Sequence, residues 1–162
     1  VSIQIRELFY EYTDLVEPLS LDEAFLDVTE NKPGIEFATQ VAREILSEIR
    51  KRTELTASAG VSYNKFLAKI ASDMDKPDGL YVIKPAQGAD FVAALPVRKF
   101  HGVGPATAAK MEGYGIITGE DLRSRSLDFL QLKFGKAGHY YYWAARGIDK
   151  RAQISGCGDK LA

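Results

Sequence analysis

Val16-Glu17-Pro18-Leu19-Ser20-Leu21-Asp22-Glu23-Ala24-Phe25-Leu26-Asp27-Val28-Thr29 is the stretch that decides the fold. Phe25, Leu26 and Val28 favour extended chain, Pro18 to Leu21 favour a turn, and Asn31-Lys32-Pro33-Gly34 closes the segment, so it reads as two short strands around a turn. Asp22 and Glu23 interrupt this otherwise apolar pair, with Asp27 four residues beyond. Adjacent acids on a strand point to opposite faces unless a turn or bulge brings both to one edge. At the end of a strand they could chelate hard cations such as Mg²⁺ through oxygen, and two such ions suit nucleotidyl transfer. A solvated acidic turn is the plain alternative.

Outward from this stretch the order is helix, strand, strand, helix, strand, helix, strand. Residues 2–13 read as the end of a helix. Ala38, Val41, Ala42, Ile45 and Ile49 recur at helical spacing between Ile35 and Arg52. Residues 56–61 form a strand of small side chains, Tyr63 to Met74 a helix, and Leu80 to Ile83 another strand. The plan is α+β, a split βαβ with an antiparallel-containing sheet and helices packed on one face. After Pro96 the strands stop. Residues 107–114, 119–123, 127–133 and 137–146 read as a small all-α segment, separated by glycine turns. The composition break at Leu95-Pro96 gives units of 1–95 and 96–151, with 152–162 unassigned.

Lys76 stands between Asp75 and Pro77, where the proline ends the helix and fixes the exit. A lysine there could meet a phosphate as a point charge, or serve as an ordinary helix-end cation. Lys65 and Lys69 precede it and could share one basic surface. Gly102-Val103-Gly104, followed by Ala108-Ala109-Lys110, has the pattern of a helix-hairpin-helix. Its turn exposes backbone amides at a helix N-terminus and so could hold a phosphate without reading sequence. A plain helical hairpin turn is the alternative. Tyr140-Tyr141-Tyr142-Trp143 fits helix packing better than base stacking.

Composition bounds these readings. With 162 residues, 46% apolar and 27% charged, the chain can bury a core without staples. No apolar run reaches the roughly 18–20 residues of a bilayer span. The lone Cys157 cannot form an internal disulfide, which makes a reducing, cytoplasmic setting the expectation. Charge is uneven: nine acids against two bases in 1–36, and six acids against eleven bases in 96–162. That asymmetry suits a protein holding metal ions at one end and a polyanion at the other. Residue 1 is Val and residues 2–9 already read as amphipathic helix, so the chain is expected to begin within a longer protein.

Glu17 to Thr29 resembles the palm motif of the Y-family translesion DNA polymerases, of the bacterial DNA polymerase IV (DinB) type. Thr56 to Val61, Asn64 to Met74 and Lys76-Pro77 resemble the next palm block. Gly102-Val103-Gly104, Phe134-Gly135-Lys136 and Gly147-Ile148-Asp149 resemble the thumb. The resemblance runs in order over about residues 2–151 and implies a partial palm followed by a thumb. Asp22 and Glu23 would be two of three catalytic carboxylates holding paired Mg²⁺ ions. Lys76 would touch the triphosphate of the incoming dNTP. Gly102, Val103, Gly104 and Lys110 would meet duplex DNA. The partners implied are primer–template DNA, dNTP and, for the longer protein, a sliding clamp, with no membrane. The family's third carboxylate lies in an Asp-x-Asp-x-Phe-Phe-like strand, and neither that strand nor the fingers occurs here, so the stretch alone is expected to be inactive. A non-catalytic DNA-binding module and a nucleotidyl cyclase with a similar palm are the rival classes. The Gly-Val-Gly hairpin and the basic second half count against the cyclase.

Overall fold

The computed structural model describes residues 1–151 and 160–161. It divides into two compact units, one of residues 1–84 together with 160–161, the other of Pro85–Arg151. Cys157 and most of the unassigned tail lie outside the described residues.

The first unit is built on a five-stranded sheet. Helix α1 (Ser2–Tyr12) leads into β1 (Val16–Pro18) and β2 (Ala24–Asp27), an antiparallel pair with Glu17 opposite Phe25. Then follow α2 (Ala38–Thr53), β3 (Ala59–Ser62), α3 (Lys65–Met74) and β4 (Leu80–Val82), with β3 and β4 parallel and Gly60 opposite Tyr81. The short β5 (Lys160–Leu161) lies between β2 and β3 and runs antiparallel to both, giving the order β1-β2-β5-β3-β4. The expected α+β plan stands.

Two boundaries have identifiable causes. Helix α2 starts at Ala38 rather than Ile35 because the Asn31 side chain both donates to the Ile35 carbonyl (2.7 Å) and accepts from its amide (2.8 Å), holding 31–35 as a turn. Helix α3 starts where the Asn64 side chain accepts from the Leu67 amide, a standard N-cap.

The helices do not share one face of the sheet, which corrects the sequence expectation. Leu26, Val28 and Val61 pack with Leu8 of α1 and with Val41, Ile45 and Ile49 of α2 in one core. Each such side chain withdrawn from water contributes about 1.5–3 kcal/mol. Gly60, the neighbour of Val61 and so turned to the opposite face, lies against α3. A Cβ on Gly60 would sit 2.1 Å from the Ala68 carbonyl oxygen and 2.3 Å from the Ser72 amide nitrogen. The missing side chain lets α3 press directly on the strand, on the face that alternation gives to Glu23, Phe25 and Asp27.

The second unit is helical: α4 (Gly88–Ala94), α5 (Pro105–Gly113), α6 (Gly119–Arg123), α7 (Leu127–Phe134) and α8 (Lys136–Ala144). Among its buried side chains are Val92, Phe100, Met111, Ile116, Leu122, Leu130 and Tyr141. Helix α4 was not expected, since seven residues opening on glycine with no side-chain cap carry too little periodicity to read. It also moves the division between units from Leu95–Pro96 to Lys84–Pro85. The Gly119 amide donates to the Leu95 carbonyl (2.8 Å), the Val97 amide to the Ile117 carbonyl (2.9 Å), and Gly119 sits directly against the Val92 carbonyl. The segment that the composition break would cut is therefore held inside the second unit. Among the described residues no helix is long and apolar enough to cross a membrane.

Candidate functional site

Between β1 and β2 the chain reverses tightly, the Leu19 and Ser20 amides both donating to the Glu23 carbonyl (2.9 and 3.2 Å). This turn brings the two acids to one edge. Ser20 Oγ donates to Asp22 Oδ1 at 2.9 Å and lies 3.4 Å from Glu23 Oε2, so one hydroxyl spans both carboxylates. Asp22 is exposed and Glu23 half-buried.

Helix α3 presents a stripe of charge to this turn. Lys69 Nζ contacts Glu23 Oε1 at 2.7 Å and Asp73 Oδ2 at 3.3 Å, and Lys76 Nζ contacts Asp73 Oδ1 at 2.7 Å. Burial disfavours the Lys69 ammonium, yet the hydrogen bond to Glu23 and the charges of Asp73 and Glu23 outweigh it and raise its pKa. Burial likewise works against the Asp73 carboxylate, but the bond from Lys76 and the Lys69 charge hold it below the usual range. Lys65 does not belong to a basic surface. It is buried, paired with Glu17 at 2.6 Å and placed over the Phe25 ring.

Asp22, Glu23, Lys69 and Lys76 all line one cavity of about 440 Å³, whose apolar wall includes Leu26, Ile45 and Ala59. The structure thus gathers the three residues of this unit that the sequence singled out. Sequence reading missed Ser20 and Asp73. Asp73 was discoverable: 65, 69 and 73 recur every four residues, which places them on one helical stripe, and Lys76 follows three residues later just past the helix end. Asp27 is a satisfied core acid, buried and accepting from the Thr29 amide and hydroxyl.

Adjacent carboxylates and a bridging hydroxyl are hard oxygen donors, the chemistry a Mg²⁺-sized cation prefers. Among the described residues no group of three or more His, Cys, Asp or Glu side chains could hold a metal ion. The pair therefore fits part of such a site and does not complete one.

In the second unit the hairpin is preceded by a single 3₁₀ turn, Val97–Lys99, rather than a full helix. Phe100 and Val103 are buried and anchor the turn, whose Val103 amide donates to the Phe100 carbonyl (3.0 Å). Gly102 adopts φ +91°, a conformation that requires glycine. Gly104, at the N-cap of α5, has ordinary φ and open space around it. The fold therefore does not require glycine at this position. The aromatic run of α8 braces this turn: Tyr140 donates to the His101 carbonyl (2.9 Å) and Tyr141 reaches the Gly102 carbonyl (3.5 Å). Burial raises the Tyr140 phenol well above its ordinary pKa. Lys110 is exposed, but its ammonium donates to the Lys133 carbonyl and lies over the Phe134 ring (4.9 Å).

Comparison with known proteins bears on both units. The model of the impB/mucB/samB family matches residues 1–73, and that of the DNA polymerase-iota thumb domain matches residues 98–149. The chain is 64% identical over 152 residues to DNA polymerase IV 3 of Mesorhizobium japonicum, covering 94% of the chain and 42% of that protein. It is 62% identical over 151 residues to DNA polymerase IV of Akkermansia muciniphila, again covering 42% of that protein. Among solved structures it resembles DinB from Sulfolobus solfataricus with a TM-score of 0.83 and 34% identity, over 94% of this chain and 45% of that one. It also resembles a post-insertion binary complex of Dbh DNA polymerase, with a TM-score of 0.84 and 35% identity, over 93% of this chain and 45% of that one. The chain therefore spans less than half the length of these relatives.

Proposed function

We propose that the chain, which matches the impB/mucB/samB family model over residues 1–73 and is 64% identical to a DNA polymerase IV over 152 residues, forms part of the palm and the thumb of a low-fidelity translesion Y-family polymerase. The reaction is template-directed transfer of a nucleotide from dNTP to a primer 3′-hydroxyl. The hydroxyl oxygen bonds to the α-phosphorus, the bond to the β-phosphate's bridging oxygen breaks, and pyrophosphate leaves. The observation that carries this reading is that Asp22, Glu23 and Lys76 line one and the same cavity.

Asp22 and Glu23 would hold divalent cations, which in such sites lower the pKa of a coordinated hydroxyl and neutralise developing charge on phosphate. Ser20 orients the two carboxylates toward each other. Lys76, half-exposed beyond the end of α3, meets the triphosphate. In the second unit six acids face ten bases over residues 85–151, and the open backbone at Gly104 takes up a DNA phosphate. With two carboxylates and, among the described residues, no third acid grouped with them, the chain by itself should bind duplex DNA but should not extend a primer. Magnesium as the cation and a sliding-clamp partner are proposed from the family resemblance, and a cytoplasmic setting from the lone cysteine.

Fluorescence anisotropy with labelled duplex tests the reading. The chain should bind with a dissociation constant of roughly 10⁻⁴–10⁻⁶ M and weaken steadily as salt rises, whatever the base sequence. Gly104→Ala should lower that affinity severalfold at unchanged melting temperature. Asp22→Ala in the polymerase of which the chain is proposed to form part should abolish primer extension and leave DNA affinity nearly intact. Extension that survives Asp22→Ala would overturn the assignment of Asp22 as a cation ligand, and sequence-selective, salt-insensitive binding would overturn the hairpin assignment.

A further inference from the structure

Asp73 stands between the two halves of the candidate site. Its Oδ2 faces Lys69, whose ammonium is bound at its other side by Glu23, and its Oδ1 faces Lys76. The result is an alternating row, Glu23–Lys69–Asp73–Lys76, with separations of 2.7, 3.3 and 2.7 Å. In this structure the carboxylate assigned to a cation and the lysine assigned to a phosphate are both engaged, and the two engagements meet at one residue.

We propose that this row is a charge-exchange relay that makes cation binding at Asp22–Glu23 and phosphate binding at Lys76 mutually reinforcing, with Asp73 as its pivot. The proposal rests on the reading of Asp22 and Glu23 as cation ligands and of Lys76 as a phosphate contact. Burial drives the exchange. The Lys69 side chain is only 12% exposed, so its ammonium cannot simply return to water when a cation takes Glu23. The other carboxylate within its reach is Asp73. A full contact there neutralises the charge that holds Lys76, whose side chain is 49% exposed and moves to an anionic ligand at little cost. The same exchange runs backwards. A phosphate that draws Lys76 away leaves Asp73 to Lys69 and loosens Glu23 for a cation, as reciprocity of coupled binding requires. Lys69 and Asp73 act through their neighbours and are positioning residues.

The test uses the isotope-labelled chain and follows the lysine side-chain NMR signals during a Mg²⁺ titration without nucleotide. Signals of Lys69 and Lys76 should shift with one midpoint. In Asp73→Asn the Lys76 response should vanish while the Lys69 response persists. In a second arm, with a chelator and no divalent cation, tripolyphosphate should bind Asp73→Asn about two- to fivefold more tightly, the weight of one half-exposed ion pair. Asp75→Asn makes the same charge change at an exposed neighbour and should do markedly less. A Lys76 response that survives Asp73→Asn, or an Asp75→Asn effect equal to that of Asp73→Asn, overturns the relay in favour of a diffuse field. If Mg²⁺ moves the Asp22 and Glu23 amides but neither lysine, the relay alone falls. If it moves none of them, the cation reading falls with it.

Discussion

At the scale of single residues, two glycines do opposite work. Gly104 leaves space open, whereas Gly60 leaves none: α3 occupies the volume of its absent side chain. Gly60→Ala would drive a methyl group into helix backbone that cannot move without lifting α3 from the sheet. The cost should reach about 3 kcal/mol, the upper end for overpacked sites, read as a lowered urea midpoint at unchanged slope. Gly104→Ala should leave the same curve in place. The composition of Thr56 to Val61 announced a strand of small residues but not that one of them touches a helix, because a missing Cβ has no periodicity. The paired acids and Lys76 were legible since residue type and local punctuation alone single them out. Asp73 was passed over because its role depends on which charges the fold sets beside it.

At the scale of elements, helix α6 shows how five residues hold a helix. Thr118 and Asp121 form a reciprocal capping box: the Asp121 carboxylate accepts from the Ile117 and Thr118 amides (both 3.0 Å) and the Thr118 hydroxyl accepts from the Asp121 amide (3.3 Å). Those backbone hydrogen bonds hold the Asp121 carboxyl below the usual carboxylate range. A carboxyl whose pKa is lowered on folding stabilises the fold fully above its ordinary pKa of about 4, and that contribution drains as pH falls through the lowered value. Thr118→Ala should cost about 1 kcal/mol at neutral pH. Asp121→Asn should flatten the acid limb of the second unit's stability, measured by thermal unfolding from neutral pH down to pH 3. The sequence disclosed α2, α3 and α5 to α8, whose apolar spacing or capping is explicit. It concealed α4, which exists because α6 and the Leu95–Val97 backbone hold it, a tertiary cause no local pattern carries.

At the scale of the whole molecule, residues 85–151 contain their own core, from Val92 to Tyr141, and their own backbone ties across Leu95 and Gly119. Expressed alone they should fold cooperatively, giving dispersed amide NMR signals and one thermal transition. A piece beginning at Pro96 should not, having lost Val92 and the Leu95 carbonyl that accepts from Gly119. The composition break misplaced this boundary because the apolar residues ahead of Pro96 belong by packing to the helices on its C-terminal side. The side of the sheet on which α3 lies was likewise hidden, since reading elements along the chain does not yield the spatial order and direction of the strands on which a crossover's face depends. Once Gly60 is seen against Ala68 and Ser72, that choice is explained.

That contact between Gly60 and α3 also sets how the site can move. Elsewhere in the core, side chains interlock and can change rotamer, but here backbone meets backbone and there is no rotamer to change. Helix α3, with Lys65, Lys69 and Asp73 fixed along it, should therefore open only when the whole unit unfolds, while the Ser20–Glu23 turn, held by short-range hydrogen bonds at the surface, opens locally. One wall of the cavity is an anvil and the other a latch. Any ligand that binds there should quieten the carboxylate turn and leave the motions of the helix as they were.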